Sequence, residues 1–152
     1  MARAAAPGCP VVIDPAELDD DAFRGIVAVD VLARLDDAAA ATTLATWRRV
    51  LRPDGRVLVS VPDGGGRARE LRGDPPESAP PTHDQWRALL VAGGFEIVGE
   101  GSDGLCAAPY GRVPAALDLR RLPAAIQFMS GRLYLAPGSG ESAVFVAAVG
   151  AR

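Results

Sequence analysis

Two short apolar runs separated by one helix-length stretch constrain this chain most. Gly25-Ile26-Val27-Ala28-Val29 and Arg56-Val57-Leu58-Val59-Ser60-Val61 are rich in β-branched residues and carry little polar alternation. Such runs read as strands covered on both faces, the habit of a parallel sheet. Between them, Ala38 to Leu51 repeats apolar residues at helical spacing: Ala41, Leu44, Trp47 and Leu51. Asp36 or Asp37 suits its N-cap. Arg48, Arg49 and Arg52 suit the negative end of its dipole. Pro53-Asp54-Gly55 ends it and turns the chain. A strand, a helix and a second strand in that order make a parallel unit.

The pattern continues. Asp63 to Pro81, dense in Gly, Pro and charge, reads as a mobile loop. Thr82 and Gln85 fit a capping box. The helix that follows carries Trp86, Leu89, Leu90 and Gly93 on one face and stops at Gly93-Gly94. Phe95–Val98 and Ala143–Val149 read as strands that pair antiparallel around a long insertion, residues 101–142. Inside it, 115–122 and 124–131 read as short helices broken at Pro123. Their apolar face holds Leu117, Leu122, Ile126, Phe128 and Met129, as in an ordinary amphipathic lid. Upstream, Val11-Val12-Ile13 reads as a strand stopped at Asp14-Pro15, and 17–21 as an acidic loop. The expected architecture is α/β: one domain spanning 1–152, with a core over 11–100, an insertion over 101–142 and a last strand over 143–149.

Composition narrows the function classes. With 152 residues and 49% hydrophobic content, one domain with a real core is expected. Every basic residue is Arg, and the net charge of -3 argues against a partner held by phosphate neutralisation, so no nucleic acid is expected. Cys9 and Cys106 are too few for a disulfide framework and fit no metal spacing. They read as reduced thiols. No apolar run approaches the roughly 18–20 residues of a membrane span, and no signal-peptide core follows Met1. A cytoplasmic protein is the expectation.

Phe23 to Asp37, with Asp30-Val31-Leu32 at its centre, resembles the fourth strand and following turn of class I S-adenosylmethionine-dependent methyltransferases, type 11-like. Trp47 to Pro62 resembles that family's helix, turn and fifth strand. Thr82 to Phe95 resembles the helix and turn before its sixth strand. Asp103-Gly104-Leu105, Pro109-Tyr110, Pro123 and Gly140-Glu141 resemble a subgroup with an insertion before the last strand. The resemblance starts near Val11 and lacks the family's first two strands, with their Gly-rich cofactor turn and ribose-binding acid. It implies a truncated Rossmann-like sheet, cut from the family order 3-2-1-4-5-7-6. That sheet is mostly parallel, with a C-terminal antiparallel pair and a helical insertion.

The implied activity is methyl transfer from S-adenosylmethionine to a small-molecule acceptor, with a missing N-terminal half supplied. None of the cofactor is expected on this chain alone. The implied cofactor-side residues are Asp14, Pro15, Asp30, Val31 and Leu32; Pro15 cannot donate a backbone N–H there. Arg34, Tyr110 and Arg112 are the implied substrate-side residues. Ala33 and Arg34 stand where the family has Glu and His, and Arg24 where it has Asp. Gly64-Gly65-Gly66 follows the wrong strand to be the cofactor turn. Without its usual neighbours, the edge at Gly25–Val29 must pair with Val11–Ile13 or with a second copy, making a homodimer. The alternative reading is a non-catalytic module for dimerisation or partner binding. His83 reads as an exposed first-turn residue, and Trp47 and Trp86 as core anchors.

Overall fold

A computed structural model describes residues 15–106, 110, 114, 117–130 and 134–150. The predicted strand at Val11–Ile13 lies outside them. A 3-10 turn, Pro15–Glu17, leads to strand β1, Phe23–Val29. Helix α1, Asp37–Val50, is capped by the Asp36 carboxylate, which accepts from the Ala39 N–H at 2.8 Å. It passes directly into strand β2, Leu51–Pro62. Pro53-Asp54-Gly55 therefore does not leave the strand. The register with β1 jumps from Phe23↔Leu51 to Gly25↔Arg56, so the predicted turn is absorbed as a bulge.

Helix α2, Arg67–Arg72, and a 3-10 turn at Pro76–Ser78 occupy the stretch read as a loop. Ala68 explains the difference. It is closed to solvent against Leu105 and Tyr110, a long-range contact invisible in local composition. Helix α3, His83–Ala92, carries the full capping box. Strand β3, Phe95–Ser102, then leads to the insertion, whose 3-10 turn Leu119–Arg121 runs into helix α4, Leu122–Met129. Pro123 sits in the first turn of α4, where its missing N–H costs nothing, so it starts this helix instead of breaking one. Strand β4, Ser142–Val149, closes the sheet.

The strand order is β1-β2-β4-β3. β1 and β2 are parallel, and β4 runs antiparallel to both β2 and β3. Three of the four strands therefore point the same way, and the expected antiparallel β3–β4 pair is present. The core lies on one face, where Val57, Val59, Val61, Phe145 and Ala147 meet Leu44 of α1 and Trp86 and Leu90 of α3. Trp86 is buried and donates its indole N–H to the Pro62 carbonyl at 2.8 Å.

β1 is not covered on both faces among the described residues. Ile26 and Ala28 turn toward the core, while Val27 and Val29 stand 71% and 60% exposed. Helices α1 and α3 pack on the same side, and no described element covers the far side of β1. No helix among the described residues is long and apolar enough to cross a membrane.

Candidate functional site

Because β1, β2 and β3 run the same way, their carboxyl ends share one edge of the sheet. Open α/β sheets bind ligands there. Asp30, the Gly64–Gly66 segment and the segments that leave β3 and enter β4 gather at this edge.

Asp30 follows β1 in a left-handed conformation, φ +55°. That region disfavours a non-glycine residue, although Asp tolerates it better than most. The Asp30 N–H holds β2 through the Ser60 carbonyl at 2.8 Å. Its carboxylate has no partner among the described residues. Strain and an uncommitted acid at a strand end are the marks of a binding position. Val31 is partly exposed beside it, Leu32 is buried in the main core, and Arg34 is exposed on the same 3-10 turn.

The other sequence-derived positions scatter. Asp14 and Arg112 lie outside the described residues. Pro15 opens a turn whose next residues are held at the opposite edge. There Arg49 donates to the Leu18 carbonyl at 2.7 Å and to Asp20 at 2.6 Å. Tyr110 is 0% exposed. Its hydroxyl donates to the Glu141 carboxylate, and the Arg72 guanidinium lies 5.9 Å above its ring. Its carbonyl accepts from Arg120 at 2.5 Å. Here Tyr110 serves as an anchor that fastens the insertion to α2.

Glu141 is the hub of that anchor, and sequence reasoning gave it no role of its own. It also accepts the Cys106 N–H at 3.0 Å and faces Arg72 at 3.7 Å. Asp103 braces it, accepting the Glu141 and Ser142 N–H groups at 3.1 and 2.8 Å. Burial, and then the charges of Asp103 and Glu141, push the Cys106 thiol above its ordinary range.

His83 is buried, contrary to the exposed position expected. Its ring lies 4.6 Å from Phe145, and its Nε2 is 3.4 Å from a Glu100 carboxylate oxygen that Arg87 also engages. Its N–H donates to Asp63, which is itself buried beyond β2. Gly64–Gly66 does connect a strand to a helix, but its three N–H groups are already spent, Gly64 on the Pro81 carbonyl at 3.0 Å, Gly65 on the Asp63 carboxylate at 2.9 Å and Gly66 on the Asp63 carbonyl at 3.1 Å. A Cβ at Gly64 would lie 1.9 Å from the Pro80 carbonyl oxygen, and one at Gly66 2.6 Å from that of Gly140. No group of three or more metal-ligating side chains occurs among the described residues.

With this geometry in view, solved structures supply the comparison. A SAM-dependent methyltransferase from Thermotoga maritima, described as a possible histamine N-methyltransferase, aligns with TM-score 0.56 and 17% identity, over 88% of this chain and 59% of that one. The fold is that of the SAM-dependent methyltransferases. A Haloferax volcanii putative methyltransferase, solved in complex with the Trm112 activator, aligns with TM-score 0.52 and 17% identity, over 90% of this chain and 57% of the other. The Burkholderia thailandensis 1,6-didemethyltoxoflavin-N1-methyltransferase, solved with S-adenosylhomocysteine, gives TM-score 0.51 and 22% identity, over 94% and 49%. The chain thus spans about three-fifths of the length of the first of these methyltransferases. Neither a protein-family model nor a curated protein matches the sequence.

The described residues do not by themselves fit the cofactor of this fold. At the end of β1 they offer the Asp30 carboxylate, and no glycine turn with open backbone N–H groups, since those of Gly64, Gly65 and Gly66 are bonded to Pro81 and Asp63.

Proposed function

We propose that this chain is the C-terminal part of an S-adenosylmethionine-dependent methyltransferase acting on a small-molecule acceptor in the cytoplasm. The observation that carries the reading is Asp30, strained and without a partner among the described residues, at the carboxyl end of a parallel strand in a sheet of methyltransferase fold. A complementary N-terminal half would pair with β1, cover Val27 and Val29, and bring the cofactor cradle. Asp14, Pro15, Asp30, Val31 and Leu32 are the proposed cofactor-side residues. Arg34, Tyr110 and Arg112 are proposed on the acceptor side, Tyr110 by tying Arg120 and Glu141 to α2. Methyl transfer is an in-line displacement, so alignment counts for more than a dedicated base. The Haloferax neighbour is itself solved with a protein partner, in keeping with function that depends on a second polypeptide.

Calorimetric titration with S-adenosylhomocysteine tests this. The chain alone gives no heat at millimolar ligand. The chain joined to, or mixed with, the upstream strands binds at micromolar affinity, about -8 kcal/mol, and Asp30→Ala weakens that binding. A complemented protein without cofactor affinity removes the reading. A second reading, a non-catalytic module, rests on the same open β1. It expects a stable homodimer through β1 that never binds the cofactor.

A further inference from the structure

Helices α1 and α3 lie on one face of the sheet, α1 on β2 and α3 on β3 and β4. Between them runs a groove of about 610 Å³. Small-molecule sites span roughly 300–1,000 Å³. Buried Leu44 lies at its base, and Ala41, Ala45, Leu89 and Ala92 line its walls. The helices close on each other where a Cβ on Gly93 would lie 2.7 Å from Leu44 Cδ1. Arg48 and Ala92 stand just before β2 and β3 begin, so the charged end of the groove is at the amino edge of the sheet. Asp30 follows β1 at the opposite edge.

The charged side chains that line the groove are Asp20, Arg48 and Arg49. Asp20 and Arg49 are committed to each other. Arg49 donates to Asp20 at 2.6 Å and to the Leu18 carbonyl at 2.7 Å. Arg48 has no hydrogen bond or ion pair among the described residues, and its Nε is shut from water with its proton unshared. A guanidinium keeps its charge, and an unmet donor on a charged group is costly to bury. The Arg48 guanidinium lies over Gly94, which leaves it room only because that residue has no Cβ.

We infer that this groove is a second ligand site, which takes a monocarboxylate with a flat apolar body. Arg48 selects the head group. Its planar fork matches the two oxygens of a carboxylate, and such charge-assisted bonds are about twice as strong as neutral ones. One unpaired cation balances one negative charge. A phosphate dianion would leave a charge over, with Asp20 at the rim to repel it. The walls select the body, because small side chains at Ala41, Ala45 and Ala92 leave room for a ring against Leu44 and Leu89. The ends of α1 and α3 also favour a cation here, a role that needs no ligand and is tested separately below. The groove lies over β2 and β4, away from the β1 edge where a complementary half would join, so the site does not depend on the methyltransferase reading.

Calorimetric titration of the whole chain with cinnamate, a flat aromatic monocarboxylate, tests this. Saturable binding of one cinnamate per chain is expected. Cinnamyl alcohol, the same body without the charge, binds about tenfold more weakly or worse. Arg48→Gln weakens cinnamate about tenfold or more and leaves the alcohol unchanged. Ala45→Phe fills the groove and abolishes both. Ala45 is exposed on α1, so that variant keeps its fold, as far-UV circular dichroism verifies. Arg52→Gln, at an exposed arginine outside the groove, leaves the affinity for cinnamate as it was. The proposal is overturned if cinnamate fails to saturate, if acid and alcohol bind equally, or if Ala45→Phe binds cinnamate as the wild type does. It is equally overturned if Arg52→Gln weakens binding as much as Arg48→Gln, which would mean diffuse attraction to surface charge. A wild type that ignores cinnamate, with an Arg48→Gln variant of lower Tm, would make Arg48 a helix-end cation only and also removes the site.

Discussion

Val57, Val59 and Val61 of β2 are closed to solvent, while Val27 and Val29 of neighbouring β1 are 71% and 60% exposed. The residue type is the same and the strands are hydrogen-bonded partners. The difference lies in what crosses each face. The row Ala28–Val59–Phe145 lies beneath the helices, whereas the row Val27–Leu58–Val146 is on the other face, where Tyr134 lies over β3 at Gly99 and no described element reaches β1. Burial is thus a property of the opposing element, and a strand's sequence records the layer it expects. β1 expects one on each side.

Breaking the covered face has the largest effect. Phe145→Ala removes a fully buried ring that packs against His83 at 4.6 Å. A loss of about 3–5 kcal/mol in urea unfolding is expected. A loss below ~1 kcal/mol would mean that the two faces are energetically alike.

Gly94→Ala comes next. Gly94 has φ +85°, and an added Cβ would lie 2.8 Å from the Arg48 guanidinium, where the end of α3 meets α1. The conformation alone costs a non-glycine residue about 1–2 kcal/mol. Thermal unfolding should show a lower Tm than the wild type.

The insertion should respond to acid. Arg120's hydrogen bonds hold the Asp118 carboxyl below its ordinary 3.8. A carboxyl with a lowered folded value contributes stability above its unfolded value and loses it as pH falls through the folded one. Apparent Tm should therefore drop below about pH 4, and Asp118→Asn should flatten that part of the curve. An Asp118→Asn profile that superimposes on the wild type would mean that Asp118–Arg120 contributes nothing to the insertion.

Local signals carried much of this structure. Asp36 capping α1 and Thr82 with Gln85 capping α3 act within three residues of themselves, and both were legible. Long-range contacts were not. Ala68 makes α2 hold in a Gly- and Pro-rich stretch because Leu105 and Tyr110 lie against it. His83 is buried because Glu100 and Phe145 arrive from β3 and β4. Glu141, flanked by Gly140 and Ser142, looks like a solvated turn acid, yet four groups converge on it. Periodicity marked the apolar stripe of α4 but could not say which way it faces, since direction depends on what Ala124 meets. Asp30 was legible from its place at a strand end; its left-handed backbone was not.

The smallest effect sharpens the comparison most. Val27→Thr trades an exposed methyl for a hydroxyl and keeps the β-branched shape that suits a strand. In the chain alone the change in unfolding free energy should stay within about 0.5 kcal/mol, as for other surface substitutions. When a complementary layer packs over β1, the same hydroxyl is buried without a partner and costs about 1–3 kcal/mol. The two measurements together separate a face that is merely tolerated from one that awaits a neighbour. Equal, small effects in both settings would mean that Val27 faces solvent in the assembled protein too. The missing layer would then have to join β1 through its backbone edge alone.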